Sequence, residues 1–431
     1  MAEANVNEVV DGRLCTGCGT CVIACPTDAI SMHENAAGFP RPRIQLDRCT
    51  HCGQCLSVCS GRQYRFDLPD DLDGLFAPQP RRAMLAYAAD PAVHAQGQSG
   101  GFITALITHL LSSGQITHAL LTRVSADGSC RPEPFFATTA EEVLSAAGSK
   151  YCMTPLVAAV RDWPSKDARV AVVGLPCHMH GLYNLESRYP EQWANRFVLK
   201  VGLFCLQAAG TLSIDHFLTR ARPDKQVLRI RWRAKCRAGQ RGRPCIEYTD
   251  GSYEMFPEDC LWDFYNSVLV PLRCSICFDQ ANRLSDVSVG DPNGYPASVV
   301  AKGRSAVAVY TQRGLDAIER ARQDGAIAIE DSEPKQLWQG QGVRLHRRQR
   351  VLVAASWFRR TGRAMPPVEA LSNASSRVGF ATRLTLRYLW GQEAVGDRDR
   401  AYGRSMRARR ALGLYARLRG LILKLLRPAA K

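Results

Sequence analysis

Two cysteine runs near the N-terminus, Cys15-x-x-Cys18-x-x-Cys21-x-x-x-Cys25-Pro26 and Cys49-x-x-Cys52-x-x-Cys55-x-x-x-Cys59, have the spacing that holds two [4Fe-4S] clusters in bacterial-type ferredoxins. The chemistry implied is the transfer of single electrons. Three thiolates two residues apart let one tight loop wrap a cuboidal cluster, and the fourth, displaced along the chain, reaches the other cluster. On that rule Cys15, Cys18, Cys21 and Cys59 hold one cluster, and Cys49, Cys52, Cys55 and Cys25 hold the second. Structural zinc favours paired C-x-x-C knuckles over two triplets with a trailing fourth, so zinc is the weaker reading. Gly17, Gly19 and Gly53 suit a backbone that turns its N–H groups toward sulfur. Ser60 stands where the first run has Pro26.

Four later cysteines also stand at informative places. Cys177 follows the apolar run ARVAVVGLP, Cys205 follows FVLKVGLF, and Cys274 and Cys277 form a C-x-x-C. Ligands collect at the carboxyl ends of strands in open α/β sheets, so these four could converge on one more [4Fe-4S] cluster. Zinc is the competing metal, and small buried thiols are the bland alternative. His178 and His180 lie close by, as further ligands or as residues that shape the pocket. Gln98-Ser99-Gly100-Gly101 precedes the apolar helical pattern GFITALITHLL, where glycines would let backbone N–H groups approach a phosphate. An equally simple role for that turn is to join a strand to a helix. Ser149-Lys150-Tyr151 adds a hydroxyl, a cation and a ring suited to a flavin nucleotide. Cys130, Cys152, Cys236, Cys245 and Cys260 have no partners in sequence and read as plain thiols. Asp279, Asp286 and Asp291 read as turn or cap residues, and no catalytic residue is identified.

The elements that must position these groups follow from the rest of the chain. At 431 residues it is too long for a ferredoxin alone. With 46% hydrophobic and 22% charged residues the composition is globular, and no apolar run is long enough to cross a bilayer. Residues 1–14 are polar and acidic rather than basic then apolar, unlike a signal peptide, so a cytoplasmic, reducing location is expected. There the 17 cysteines serve as ligands rather than disulfides. Strand-like runs at 84–88, 118–122, 169–173 and 197–203 alternate with helical patterns such as 101–112, an α/β signature. Residues 245–256 read as a β-hairpin closed on Asp250-Gly251, both at positive φ. Two more strands are expected at 284–289 and 306–310.

The formal net charge is +16 and concentrates toward the C-terminus, where Arg344, Arg347, Arg348 and Arg350 crowd together. In the last segment Leu414, Leu418, Leu421, Ile422 and Leu425 fall on one helical face, with Arg410, Arg417, Lys424 and Arg427 largely on another. Such a helix could cover the protein body, receive an acidic redox partner, or lie on an anionic membrane at its inner face. Nucleic acid is disfavoured because no reading motif accompanies the basic residues.

Six motifs in order, QSGG at 98–101, SKY at 149–151, GLPCH at 174–178, GLFC at 202–205, CSICFD at 274–279 and LSDVSVGD at 284–291, resemble the family of β-subunits of coenzyme F420 hydrogenases and formate dehydrogenases. That family also includes 7-hydroxymethyl chlorophyll a reductase. The resemblance implies an α/β flavoprotein core that binds FAD, with an N-terminal α+β ferredoxin-like 2[4Fe-4S] domain. It implies a third [4Fe-4S] cluster on Cys177, Cys205, Cys274 and Cys277, and FAD contacts from Gln98, Ser99, Gly100, Gly101, Ser149, Lys150 and Tyr151. The expected organisation is a ferredoxin domain at 1–65, a linker at 66–80, the core at 81–343, and a basic, partly helical C-terminal extension at 344–431.

Members of the family exchange electrons between iron-sulfur centres and a hydride acceptor or donor, the deazaflavin coenzyme F420 in archaeal cases. The function expected here is that of an iron-sulfur flavoprotein oxidoreductase, served by a ferredoxin-like electron donor or acceptor and a small organic hydride acceptor or donor. The alternative is an electron-relay subunit whose catalytic centre sits on a partner chain, with the basic tail as its docking surface.

Overall fold

The fold comes from a computed structural model that describes residues 5–235, 242–257, 269–341, 347–372, 376 and 378–425, with side chains for all of these but 381, 413 and 415–425. The strands are β1 (Ile30–Glu34), β2 (Pro40–Ile44), β3 (Arg82–Ala88), β4 (His118–Val124), β5 (Pro132–Ala137), β6 (Val170–Gly174), β7 (Phe197–Leu203), β8 (Val227–Ala234), β9 (Arg243–Tyr248), β10 (Tyr253–Met255), β11 (Val287–Gly290), β12 (Ser305–Val309) and β13 (Ile327–Ser332).

Eight of these strands form one mixed sheet in the order β13-β3-β12-β11-β7-β6-β4-β5. Its centre, β11-β7-β6-β4, is parallel, and its margins are antiparallel. The centre is parallel because it is covered on both faces, which is why VAVVG of β6 is nearly continuous in apolar residues. Alternation along each strand sends side chains to two cores. Met84, Val201, Val287 and Val307 pack under the helices Phe102–Ser112 and Gln312–Gln323. Leu120, Val170, Val172 and Phe197 pack on the opposite face against the helix Pro176–Arg188 and the short helix Leu156–Asp162. The strands expected from sequence at 84–88, 118–122, 169–173 and 197–203 are present to within a few residues, and the one expected at 284–289 is shorter and begins at Val287.

A separate antiparallel sheet, β10-β9-β8, holds the expected hairpin. Only Gly251 there has positive φ, at 81°, which corrects the expectation for Asp250. Thr249, Asp250 and Gly251 bridge a Tyr248–Ser252 backbone bond, and a three-residue loop needs the left-handed conformation only at its last position.

The ferredoxin unit contributes the β1-β2 hairpin and two single-turn helices, Thr20–Ile23 and Gln54–Ser57, each entered through a glycine, Gly19 or Gly53, in the left-handed region. The segment 66–80 carries the helix Leu72–Phe76, capped by Asp71, and buries Leu75 and Phe76 against the body, so it is packed structure. The C-terminal extension contributes the helices Arg348–Arg360, Phe380–Gln392 and Arg398–Leu425. Trp357, Phe358, Leu386 and Leu389 from the first two share a core with Val6, Leu14, Cys15 and Cys21 of the ferredoxin unit. Arg398 then joins Glu34 at 2.5 Å and Asp215 at 2.5 Å, a network that Arg131 completes. The predicted stripe at Leu418, Leu421, Ile422 and Leu425 lies outside the described side chains, and Leu414 is exposed. No helix among the described residues is long and apolar enough to cross a membrane.

The ferredoxin unit and the body meet closely where the helix Pro176–Arg188 crosses the first cysteine loop. A Cβ on Gly181 would sit 2.1 Å from Thr20 Oγ1 and 3.5 Å from Cys18 Sγ. Alanine normally improves a helix interior by about 1 kcal/mol over glycine. Here Gly181→Ala is expected to destabilise the protein by about 1–3 kcal/mol through overpacking against a buried, β-branched Thr20. Denaturant titration checks this, and adding Thr20→Ala should recover most of the loss; a single variant as stable as the parent would show that the contact is loose.

Candidate functional site

The first cysteine loop is buried: Cys15, Cys18 and Cys21 are inside, as are Cys55 and Cys59, whereas Cys25 and Cys49 are partly exposed and Cys52 is open to solvent. Burial pushes the Cys59 thiol up, and its nearest charged neighbours are Cys18 and Cys15. Burial likewise raises Cys55, whose thiol neighbours are Cys25 and Cys52. Cys59 thus lies among thiols of the first run, and Cys55 lies near Cys25. Backbone N–H groups aim at sulfur, Gly17 at Cys15 (3.4 Å) and Ala29 at Cys25 (3.3 Å).

The four later cysteines come together. Cys177 stands in the first turn of the helix that leaves β6, Cys205 follows the adjacent parallel strand β7, and Cys274 and Cys277 lie on the short helical turn Leu272–Ile276 and just past it. All four line one cavity. Burial raises Cys177, Cys205 and Cys274, and Cys177 feels Cys18 of the first loop more strongly than any cysteine of its own set. The two centres are thus neighbours. Among the described residues no three His, Cys, Asp or Glu side chains cluster tightly enough for a single metal ion.

Both nearby histidines are engaged in hydrogen bonds. His178 accepts from the Leu175 N–H through Nδ1 (3.1 Å) and donates to the Thr154 carbonyl through Nε2 (2.9 Å). Burial pulls it down to about 4, so it is neutral. His180 is paired with Asp279 at 2.8 Å, both buried, and stacks on Phe278. These rings shape the pocket. Two guanidiniums also line the cavity, Arg273 and Arg347, each at most 3% exposed. Arg273 donates to the Tyr64 hydroxyl and to the Ser60 carbonyl (3.4 Å), and Arg347 donates to the Leu206 carbonyl. A third buried arginine, Arg41, is neutralised by Glu393 of the extension at 2.6 Å, beside Cys15.

A second constellation forms where QSGG and SKY meet. Gly101 opens the helix Phe102–Ser112 with a φ of 68°, and the Gly100 N–H donates to Ser305 Oγ (3.0 Å). Gln98 Nε2 lies 3.5 Å from where a Cβ on Gly148 would stand and donates to the Arg233 carbonyl (3.2 Å). Ser99 donates to Asp291, which also takes Arg233 at 2.7 Å. Lys235 donates to the Ser99 carbonyl (3.1 Å). Lys150 donates to the Ala146 and Gly148 carbonyls, the second at 2.9 Å. Burial lowers Lys150 to about 7 and Lys235 to about 8. Among the described residues Lys150 has no carboxylate partner. Arg233, Lys235 and the contact role of Asp291 were not read from the sequence. Their one local signal is the period-two alternation RIRWRAK, with Trp232 and Ala234 buried between the basic residues.

Of the remaining cysteines, Cys130, Cys152 and Cys245 are buried, and Cys236 and Cys260 lie outside the described residues. Asp286 is a buried brace, accepting from the Lys200 N–H (2.7 Å), Thr311 (2.7 Å) and Arg313 (3.0 Å).

Residues 14–61 match the 4Fe-4S dicluster domain family, which supports two clusters in the N-terminal unit. Residues 83–161 and 167–335, together more than half of the chain, match the N-terminal and C-terminal parts of the coenzyme F420 hydrogenase/dehydrogenase beta subunit. Similar curated proteins include the coenzyme F420-dependent sulfite reductase of Methanocaldococcus jannaschii, 28% identical over 75% of this chain and 50% of that protein. A component of the F(420)H(2) dehydrogenase of Methanosarcina mazei is 25% identical over 76% of this chain and 88% of that one. The chain thus spans half the length of the first of these relatives. A chain of the F420-reducing [NiFe] hydrogenase complex from Methanosarcina barkeri shares the fold, with a TM-score of 0.50 at 20% identity over 66% of this chain and 94% of that one. The chain belongs to the family of coenzyme F420 hydrogenase/dehydrogenase beta subunits.

Proposed function

We propose that the chain is an iron-sulfur flavoprotein oxidoreductase, passing electrons between ferredoxin-type clusters and FAD for hydride transfer to or from an organic substrate such as coenzyme F420 or a related acceptor. When bound, clusters exchange single electrons and a flavin exchanges one or two, which is the conversion such a reaction needs. The observation that carries the reading is the convergence of Cys177, Cys205, Cys274 and Cys277 on one cavity beside Cys18.

The residues present fit both groups. Burial raises Cys177, Cys205 and Cys274, so these thiols are neutral on their own and ionise when a metal core binds them. The exposed Cys52 side of the second N-terminal centre is where an external ferredoxin-like partner has access, and the buried Cys18 side faces the third cysteine set. At the QSGG turn, Lys150 and Lys235 hold ammonium groups on neutral carbonyls, which suits the pyrophosphate of a dinucleotide. Arg233 is already balanced by Asp291, so it orients the site, whereas the lysines supply its unspent charge.

A second reading, an electron-relay subunit of a larger redox complex whose catalytic centre is on a partner chain, is favoured by relatives that are themselves subunits, such as the coenzyme F420 hydrogenase subunit beta of Methanothermobacter thermautotrophicus, 26% identical over 53% of this chain and 79% of that one. Anaerobic stopped-flow of the dithionite-reduced chain with coenzyme F420 separates the two: reoxidation without a partner supports the first, and an inert chain supports the relay.

Anaerobically reconstituted protein is expected to hold about twelve irons and one flavin, and Cys205→Ser about eight irons. Iron assay and flavin absorbance check this; about eight irons in the parent, or no flavin, removes the reading. Flavin affinity should also depend on pH. Because burial lowers Lys150 to about 7, binding a phosphate beside it takes up a proton above that pH. Affinity should therefore be full below about pH 7 and weaken by up to about tenfold per pH unit per lysine above it, with the slope reduced in Lys150→Met. Flavin titration from pH 6 to 9 measures this; a flat profile would place Lys150 away from the phosphates.

A further inference from the structure

We infer that Arg273 and Arg347 supply the counter-charge of the third cysteine centre and set its reduction potential, with Arg347 delivered by the C-terminal extension. The inference rests on the third-cluster reading proposed above. A buried guanidinium is costly unless an anion meets it, and the other buried arginines near these sites obey that rule, Arg41 with Glu393 and Arg233 with Asp291. Arg273 and Arg347 do not. Among the described residues neither pairs with a carboxylate; their acceptors are a hydroxyl and backbone carbonyls, and the buried Nε of each has no hydrogen-bond partner. Both face the cavity of Cys177, Cys205, Cys274 and Cys277.

The missing anion is the cluster itself. Four thiolates around a [4Fe-4S] core carry net negative charge, and one added electron, taken from an external reductant, makes that charge one unit larger. Fixed positive charge at the cavity wall favours the reduced form and raises the potential, net charge being one of the levers that sets it. Arginine does this at any pH, because it stays protonated. The two residues come from different parts of the chain: Arg273 adjoins Cys274, while Arg347 begins the extension's first helix, Arg348–Arg360, beyond the family match that ends at residue 335. The extension is therefore part of the electrostatics of this centre as well as a cover over the ferredoxin unit.

The test uses the full chain, anaerobically reconstituted, with iron assay and an EPR-monitored redox titration. The signal of the third centre is identified as the one lost in Cys205→Ser. Arg273→Gln and Arg347→Gln are expected to keep about twelve irons. Each should lower the reduced-to-oxidised ratio of that signal at fixed potential about tenfold, about 59 mV for a one-electron couple. Arg347→Lys should stay near the parent. A Gln variant with full iron and the parent's potential overturns the inference. If the Gln variants lose about four irons, the Lys variants decide: recovery of iron and potential supports a charge role, and failure to recover overturns it. A parent with about eight irons, and no signal lost in Cys205→Ser, overturns the cluster reading itself and is distinguishable from the other outcomes.

Discussion

Burying many cysteines together with arginines is the constraint on which this structure depends. In water a thiolate is cheap; inside a protein it needs either a metal core or a cation. The chain meets that need by bringing three distant stretches to one place. Arg41 comes from the ferredoxin hairpin, Arg273 from the turn that carries Cys274 and Cys277, and Arg347 from the extension. Glu393, 352 residues from Arg41 in sequence, balances that guanidinium beside Cys15. Removing either partner of such a buried pair strands a charge, so the pair ties the extension to the ferredoxin unit alongside the apolar contacts of Trp357 and Phe358.

Close approach is the second constraint, and it explains which residues lack side chains. The first cysteine loop lies against the helix that carries Cys177, and the contact is possible because Gly181 presents no Cβ to Thr20. On the loop's other side a Cβ on Gly19 would meet the Ala158 backbone nitrogen at 2.6 Å. The loop is held between two pieces of the body's own scaffold, the helix Pro176–Arg188 and the short helix Leu156–Asp162. The relative position of the first and third cysteine sets is thus fixed by packing, with no linker between them to vary.

What the sequence made legible was local. The two ferredoxin runs declare themselves by spacing, since a loop that wraps a cluster must place its thiolates at fixed intervals. The strands β6 and β7 were readable because a strand buried on both faces is continuously apolar, and Cys177 and Cys205 were readable as strand-end residues for the same reason. What escaped was long-range. Arg233 and Lys235 reach the QSGG turn from a separate sheet, and nothing in RIRWRAK says which face that sheet turns toward residue 99. The segment 66–80 reads as a linker from its acids and prolines, yet Leu75 and Phe76 are buried, because two apolar residues in one turn suffice to dock it. His178 and His180 read as open to ligation, yet both His178 ring nitrogens are held by Leu175 and Thr154, and His180 Nε2 is held by Asp279.

The choice of cation at the two proposed centres differs in a way that follows from chemistry. Around the third cysteine set the uncompensated cations are arginines, which keep their charge whatever the pH and whatever the burial. At the QSGG and SKY constellation the arginine is spent on Asp291 and the uncompensated groups are lysines, whose burial brings them close to losing their protons. A thiolate-ligated cluster is anionic in both of its redox states, so a permanent counter-charge stays matched once it is assembled. A non-covalent dinucleotide is different: the protein must fold and persist before it arrives, and a lysine can stay neutral in the meantime, then take up a proton as the phosphate comes in. On this argument the residue types alone separate a centre that is built into the fold from one that is filled after it.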